Sequence, residues 1–170
     1  MSQRGLTLLE MLTVVAMLAM ASTLFLITPF RSYMHARAAR DAATTMAQDI
    51  AWLERIAQNG GVNDGATLQV DSINPLVYDC YYGRPNALDP NSTLGPLIVH
   101  RSFDDVALIA GPIDASTPLL FADNGSVQYV SAGLWADQHQ TVDLTLAPSN
   151  DPSQTTNLQL DLFTGGVARP

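Results

Sequence analysis

One hundred and seventy residues suffice for one sizeable core and are too few for two ordinary domains, so the chain reads as one globular domain with appendages. Sixteen Asp and Glu against eight Arg and no Lys give a formal net charge of -8. The balance is uneven: residues 1–40 hold four Arg and one Glu, while residues 41–170 set four Arg against fifteen acids, a net of -11 that repels phosphate backbones and argues against a general nucleic-acid binder.

From Leu6 to Ile27 the chain carries one charge, Glu10, in 22 residues. As a helix that segment rises roughly 33 Å, enough to cross a hydrocarbon core. A secretory signal peptide is the alternative, with Arg4 as its basic region, Met11 to Leu18 as its apolar stretch and Ala19-Met20-Ala21 as a cleavage site that would leave Ser22 first. Against it, Thr23-Leu24-Phe25-Leu26-Ile27 stays apolar beyond the cut, and Glu10 interrupts the stretch. A carboxylate at the centre of a span costs about 2.5 to 3.5 kcal/mol on insertion scales, less near the interface. A cut after Gly5 would place a new Leu6 amine four residues ahead of Glu10, within reach of it. A neighbouring subunit's amine would serve as well.

Arg4-Gly5, then Leu6-Thr7-Leu8-Leu9-Glu10, then the apolar run resembles the class III signal of type IV pilins and type II secretion pseudopilins. The resemblance implies cleavage by a prepilin peptidase between Gly5 and Leu6, N-methylation of Leu6, and a role for Glu10 in guiding assembly. The family most often has Phe where this chain has Leu6. It further implies a single pass through the inner membrane with the head outside the cytoplasm, then incorporation into a pilus or pseudopilus. The partners implied are the prepilin peptidase, other pilin or pseudopilin subunits and, before assembly, inner-membrane lipid. Arg31, Arg37 and Arg40 would lie outside, contrary to a simple positive-inside count, and the processing motif outweighs that count.

Thr28-Pro29 predicts an interruption, either a kink or a second helix capped by Thr28. Downstream, Ala39, Ala42, Met46, Ile50, Leu53 and Ala57 keep three-and-four spacing and form a core stripe, with Asp41, Thr45, Gln48 and Glu54 on other faces. Gly60-Gly61 ends the helix. The chain therefore divides into a leader over 1–5, a transmembrane and assembly helix over 6–28, an amphipathic helix over 29–60 and a β-rich head over 61–170.

In the head the period changes from 3.6 to 2, with strands predicted over 66–70, 76–82, 96–103, 105–110, 118–122, 126–130, 141–147 and 157–163. Asn124-Gly125 between two apolar runs predicts a tight hairpin. Val142, Leu144 and Leu146, then Leu158, Leu160 and Leu162, alternate with polar residues on either side of a polar connection, 148–154, and predict a second hairpin. Residues 83–95 read as a surface loop rich in Gly, Pro and Asn.

The fold class is α+β, a long N-terminal helix continuing into an antiparallel β domain. The layout is similar to the GspH/FimT-like minor pseudopilins, which implies a two-sheet head. Three segments carry this: Ala47-Gln48-Asp49-Ile50-Ala51-Trp52-Leu53-Glu54-Arg55-Ile56-Ala57, Phe121-Ala122-Asp123-Asn124-Gly125-Ser126, and Leu160-Asp161-Leu162-Phe163-Thr164-Gly165-Gly166-Val167.

No sequence signature for catalysis, a metal or a cofactor emerges. His35, His100 and His139 are scattered, suiting surface or capping roles, and no nucleophile or phosphate-loop motif is found. Asp104-Asp105 reads as a solvated turn rather than part of a calcium site. Asn91-Ser92-Thr93 fits a glycosylation acceptor, though a polar loop is the simpler reading. Cys80 has no partner for an intramolecular disulfide and reads as a small buried hydrophobe, with Tyr78, Tyr81 and Tyr82 beside it in packing rather than in a contact patch. The function expected is that of a minor structural subunit of a pilus or pseudopilus, not an enzyme. The alternatives are an adhesive or DNA-capture minor pilin, for which Arg169 is the one candidate nucleic-acid contact near the C-terminus, and a secreted enzyme with a cleaved signal.

Overall fold

The computed structural model describes the backbone of residues 8–59, 65–83, 95–114, 117–131, 134–137 and 141–168, and the side chains of these except 24, 26, 28, 130, 131 and 134–137. The chain divides into two compact units, one ending at Met34 and one beginning at His35. A single helix, α1, runs Leu8–Asn59 with Pro29 inside it. The expected second helix is thus not separate. Proline removes one backbone donor, and the helix continues on both sides of it. Asn59 closes the far end by donating its side-chain amide to the Arg55 carbonyl at 2.9 Å.

Among the described residues no helical stretch is long and apolar enough to cross a membrane. The described helix therefore does not by itself reproduce the span expected over 6–28.

In the second unit, all six residues of the predicted stripe, Ala39 to Ala57, are buried, with Ala43 and Ala47 beside them. Ten strands follow: β1 (Ala66–Ile73), β2 (Leu76–Tyr82), β3 (Leu97–Phe103), β4 (Val106–Ala110), β5 (Leu119–Phe121), β6 (Val127–Ser131), β7 (Leu134–Asp137), β8 (Thr141–Pro148), β9 (Thr156–Asp161) and β10 (Val167–Ala168). They form two antiparallel sheets, one of six strands in the order β3-β2-β1-β5-β6-β7 and one of four in the order β10-β9-β8-β4. Eight strands fall where alternation predicts them. The last predicted strand stops at Asp161 instead of residue 163, because Leu162–Thr164 turn back toward β10. Strands β7 and β10 are additions.

Both predicted hairpins form, β5 with β6 and β8 with β9. The first is closed by three residues rather than two: Gly125 donates to the Ala122 carbonyl at 3.0 Å, Ala122 to the Ser126 carbonyl at 2.9 Å, and Gly125 sits at φ 85°. This is the three-residue loop in which glycine takes the left-handed position after a turn. Asn124 stays outside that role and accepts from the backbone N–H and hydroxyl of Ser126.

One core joins the helix stripe to both sheets: Met46, Ile50 and Leu53 cluster with Leu68, Tyr78, Cys80 and Phe121 of the first and with Leu108, Leu144, Leu146, Leu158 and Leu160 of the second. Each sheet buries one face of its alternation, as a two-layer domain requires. Val127 links them directly, donating to the Leu162 carbonyl at 2.8 Å.

Candidate functional site

Two regions hold chemistry of interest. The first is the N-terminal part of α1. Glu10 lies in its first described turn and is exposed, and its carbonyl accepts from the Thr13 hydroxyl at 2.9 Å. Around it, Leu8, Leu9, Met11, Leu12, Val14 and Val15 are all exposed, Leu8 at 82%. Among the described side chains, fourteen exposed large apolar ones run along the helix from Leu8 to Met34, whereas 35–170 shows five. Gly5 and Leu6, the expected cleavage and methylation positions, lie outside the described residues, and so does Arg169.

The second region is a pair of polar clusters on β2 and β3. Register places Tyr78 opposite Arg101 and Asp79 opposite His100. Alternation then sends the two pairs to opposite faces of the sheet. On the core side, Asp49 of α1 is 6% exposed and accepts three bonds: from the Tyr78 hydroxyl at 2.9 Å, from Arg101 Nε at 2.9 Å and from Arg101 Nη2 at 3.1 Å. The Arg101 side chain is 40% exposed, so it keeps water on part of the guanidinium while its fork grips the carboxylate. Tyr78 also stacks on Phe103, with ring centroids 6.1 Å apart.

On the other face, Asp79 is 7% exposed and meets His100 Nδ1 at 2.6 Å and the Tyr81 hydroxyl at 2.9 Å. Burial, then the charge of Asp79 and hydrogen bonding toward it, push the carboxyl of Asp71 on β1 above its ordinary 3.8, with His100 acting the other way. Tyr81 is pushed up to about 12, first by burial and then by its bond to Asp79.

These groups are arranged for holding rather than for attack. Cys80 is fully buried between the clusters, and burial with the neighbouring Asp49 charge pushes its thiol up to about 12, so it stays protonated as a small core hydrophobe. Burial and then Asp49 likewise raise Tyr78 well above the usual phenol range. Tyr81 and Tyr82 are partly buried, in keeping with packing. His100 meets Asp79 across strands, a more specific placement than a surface histidine, while His139 and Asn91 to Thr93 lie outside the described residues. Asp104 and Asp105 form the exposed β3–β4 turn, as read. Among the described residues no group of three or more His, Cys, Asp or Glu is placed to hold a metal ion.

Asp49 carries a signal that the pattern reading passed over. It stands three residues after Met46 and four before Leu53, inside the apolar stripe, where a carboxylate demands a partner. Comparison of the chain with protein-family models, with curated proteins and with solved structures finds no match.

Proposed function

We propose that this chain is a minor structural subunit of a type IV pilus or type II secretion pseudopilus, assembled through its N-terminal helix and without enzymatic activity. The observation that carries the reading is the run of exposed large apolar side chains from Leu8 to Met34, fourteen among the described residues, interrupted by the one carboxylate of Glu10. Contiguous apolar surface on that scale needs lipid or protein to cover it. The Arg4-Gly5-Leu6-Thr7-Leu8-Leu9-Glu10 motif supplies the rest: a prepilin peptidase cuts after Gly5, the Leu6 amine is methylated, and Glu10 pairs with an amine during assembly. The 22 residues from Leu6 to Ile27 with their single charge support an inner-membrane location before assembly, with the head outside the cytoplasm.

Intact mass of the membrane-extracted protein tests the proposal. A mature chain beginning at methylated Leu6 is expected, and Gly5→Val should leave the precursor uncut because a branched side chain blocks close approach. A mature chain beginning at Ser22 would instead establish a secreted protein.

A further inference from the structure

We infer that the open edge of β3 binds an extended, acid-bearing segment of a different protein, which joins the six-stranded sheet as a further strand. Among the described residues β3 pairs with β2 alone and lies at the end of its sheet. Val99 to Phe103 run opposite Cys80 to Leu76 without a register shift, and the one irregularity of the pair falls at the Leu97 end. That stretch holds no proline, so its outer edge offers a regular row of backbone N–H and C=O groups. On such an edge an extended partner pairs through its main chain, and the neighbouring surface reads its alternate side chains.

That surface is made by α1 and Arg101. The bonds from Arg101 to Asp49 set the helix beside the core face of the strand, and Trp52, three residues on, lies on the same flank of α1 and is 38% exposed. Arg101 grips Asp49 side-on through Nε and Nη2. The N–H groups of Nη1 are left without a partner among the described residues, on a side chain 40% exposed. A planar guanidinium held along one edge offers its other edge to a second carboxylate. A charge on a sheet edge ordinarily repels an added strand, because pairing would bury it alone. Arg101 is already paired and still carries donors, so it admits a strand with an acid at the facing position and disfavours one without.

Charge selects the same occupant. Residues 41–170 carry a net of -11, and Arg101 is the one described arginine of the strand region, so it fixes where an acidic segment settles. A second copy has no such segment to give. In the described strands the acids sit in β1, β2, β8 and β9, each paired on both sides, or at the last residue of the four-residue β7. One contact of this kind joins the head to a different neighbour and does not propagate, and the surface is independent of how the N-terminus is processed.

The test titrates full-length protein in detergent into a short dye-labelled peptide and reads fluorescence anisotropy. The peptide alternates valine with threonine, and glutamate replaces its central valine. Binding tighter than about 0.1 mM, beyond that to detergent alone, is expected at about 0.1 M salt. N-methylation of one alternate set of peptide amides should weaken it at least about tenfold, while the other set, which faces away from β3, tolerates the methyl groups. Glutamine in place of the glutamate should cost about tenfold and remove the salt dependence. Trp52→Ala should cost about fivefold. Arg101→Lys keeps a cation for Asp49 without the second edge, and should narrow the difference between the glutamate and glutamine peptides to about threefold. No binding at about 0.1 mM, or binding unchanged by N-methylation of either set, overturns the inference. So does equal affinity for the glutamate and glutamine peptides. A dimer seen by light scattering that the peptide dissociates would put a second copy on the edge and overturn the choice of partner.

Discussion

Asp49 shows how one residue ties the helix to a sheet. Its carboxylate has lost most of its water and recovers three hydrogen bonds, two of them from a guanidinium. Arg101→Ala leaves a buried anion with the Tyr78 hydroxyl alone, and should cost about 1 to 3 kcal/mol, less than the roughly 3 to 5 of a fully buried pair because the guanidinium is partly wet. Tyr78→Phe removes a neutral donor while Arg101 remains, and should cost less, near 1 kcal/mol. Chemical denaturation of both variants checks the order, and equal losses would mean that the arginine adds nothing beyond its packing. Across the sheet, Asp71 makes the opposite contribution. Its folded carboxyl binds a proton more tightly than the unfolded one, so stability is spared below the ordinary 3.8 and falls as pH rises through the raised value. Asp71→Asn should therefore raise Tm near pH 7, and the gain should vanish on acidification below that ordinary value. A gain that persists in acid would assign the effect to packing. Burial of the stripe residues and of Cys80 was legible in the sequence because spacing and hydrophobicity report on it directly. The polar pairs were not, since Asp49 and Arg101 lie 52 positions apart and only register brings them together.

At the scale of elements, alternation located the strands that bury one face, and it failed where a strand has little to bury. The two-residue β10 is held by pairing with β9, not by its own pattern. The separate second helix that Thr28-Pro29 allowed does not form: a single missing donor is a local cost, and a 52-residue helix has many other bonds to set against it. Backbone geometry at the start of β1 was invisible to pattern reading. Gly65 sits at φ 74°, and a Cβ there would lie 2.2 Å from the Phe121 carbonyl oxygen, whereas at Gly125 the nearest atom is the mobile amide of Gln58 at 3.0 Å. Gly65→Ala should consequently cost more than Gly125→Ala, which pays only the left-handed strain of about 1 to 2 kcal/mol. Thermal melts of the pair decide it, and a Gly125 variant hurt as badly as the Gly65 variant would show that the β5–β6 loop cannot give.

For the whole molecule, the exposed acids of the strand region set the expectation for nucleic acid. Arg169 by itself offers about one phosphate contact, worth a salt slope of roughly -0.7 to -0.9, against the opposing field of the domain. Fluorescence anisotropy on the full-length protein in detergent should find no submicromolar DNA binding at about 0.15 M salt. Tight binding lost on Arg169→Ala would move DNA capture ahead of a purely structural role. The order in which the strands occupy the two sheets has a consequence for how the head is made. The chain lays down β1, β2 and β3 in the first sheet, sends β4 to the second, returns for β5, β6 and β7, and completes the second with β8, β9 and β10. Among the described residues strand β4 pairs with β8 alone, and thirty residues separate the end of one from the start of the other. A polypeptide synthesised in N-to-C order thus presents the hydrophobic β4 long before its neighbour arrives. The second sheet closes only once the final quarter of the chain has emerged, and until then the growing chain depends on delay, or on a chaperone, to keep that edge from pairing with the wrong strand.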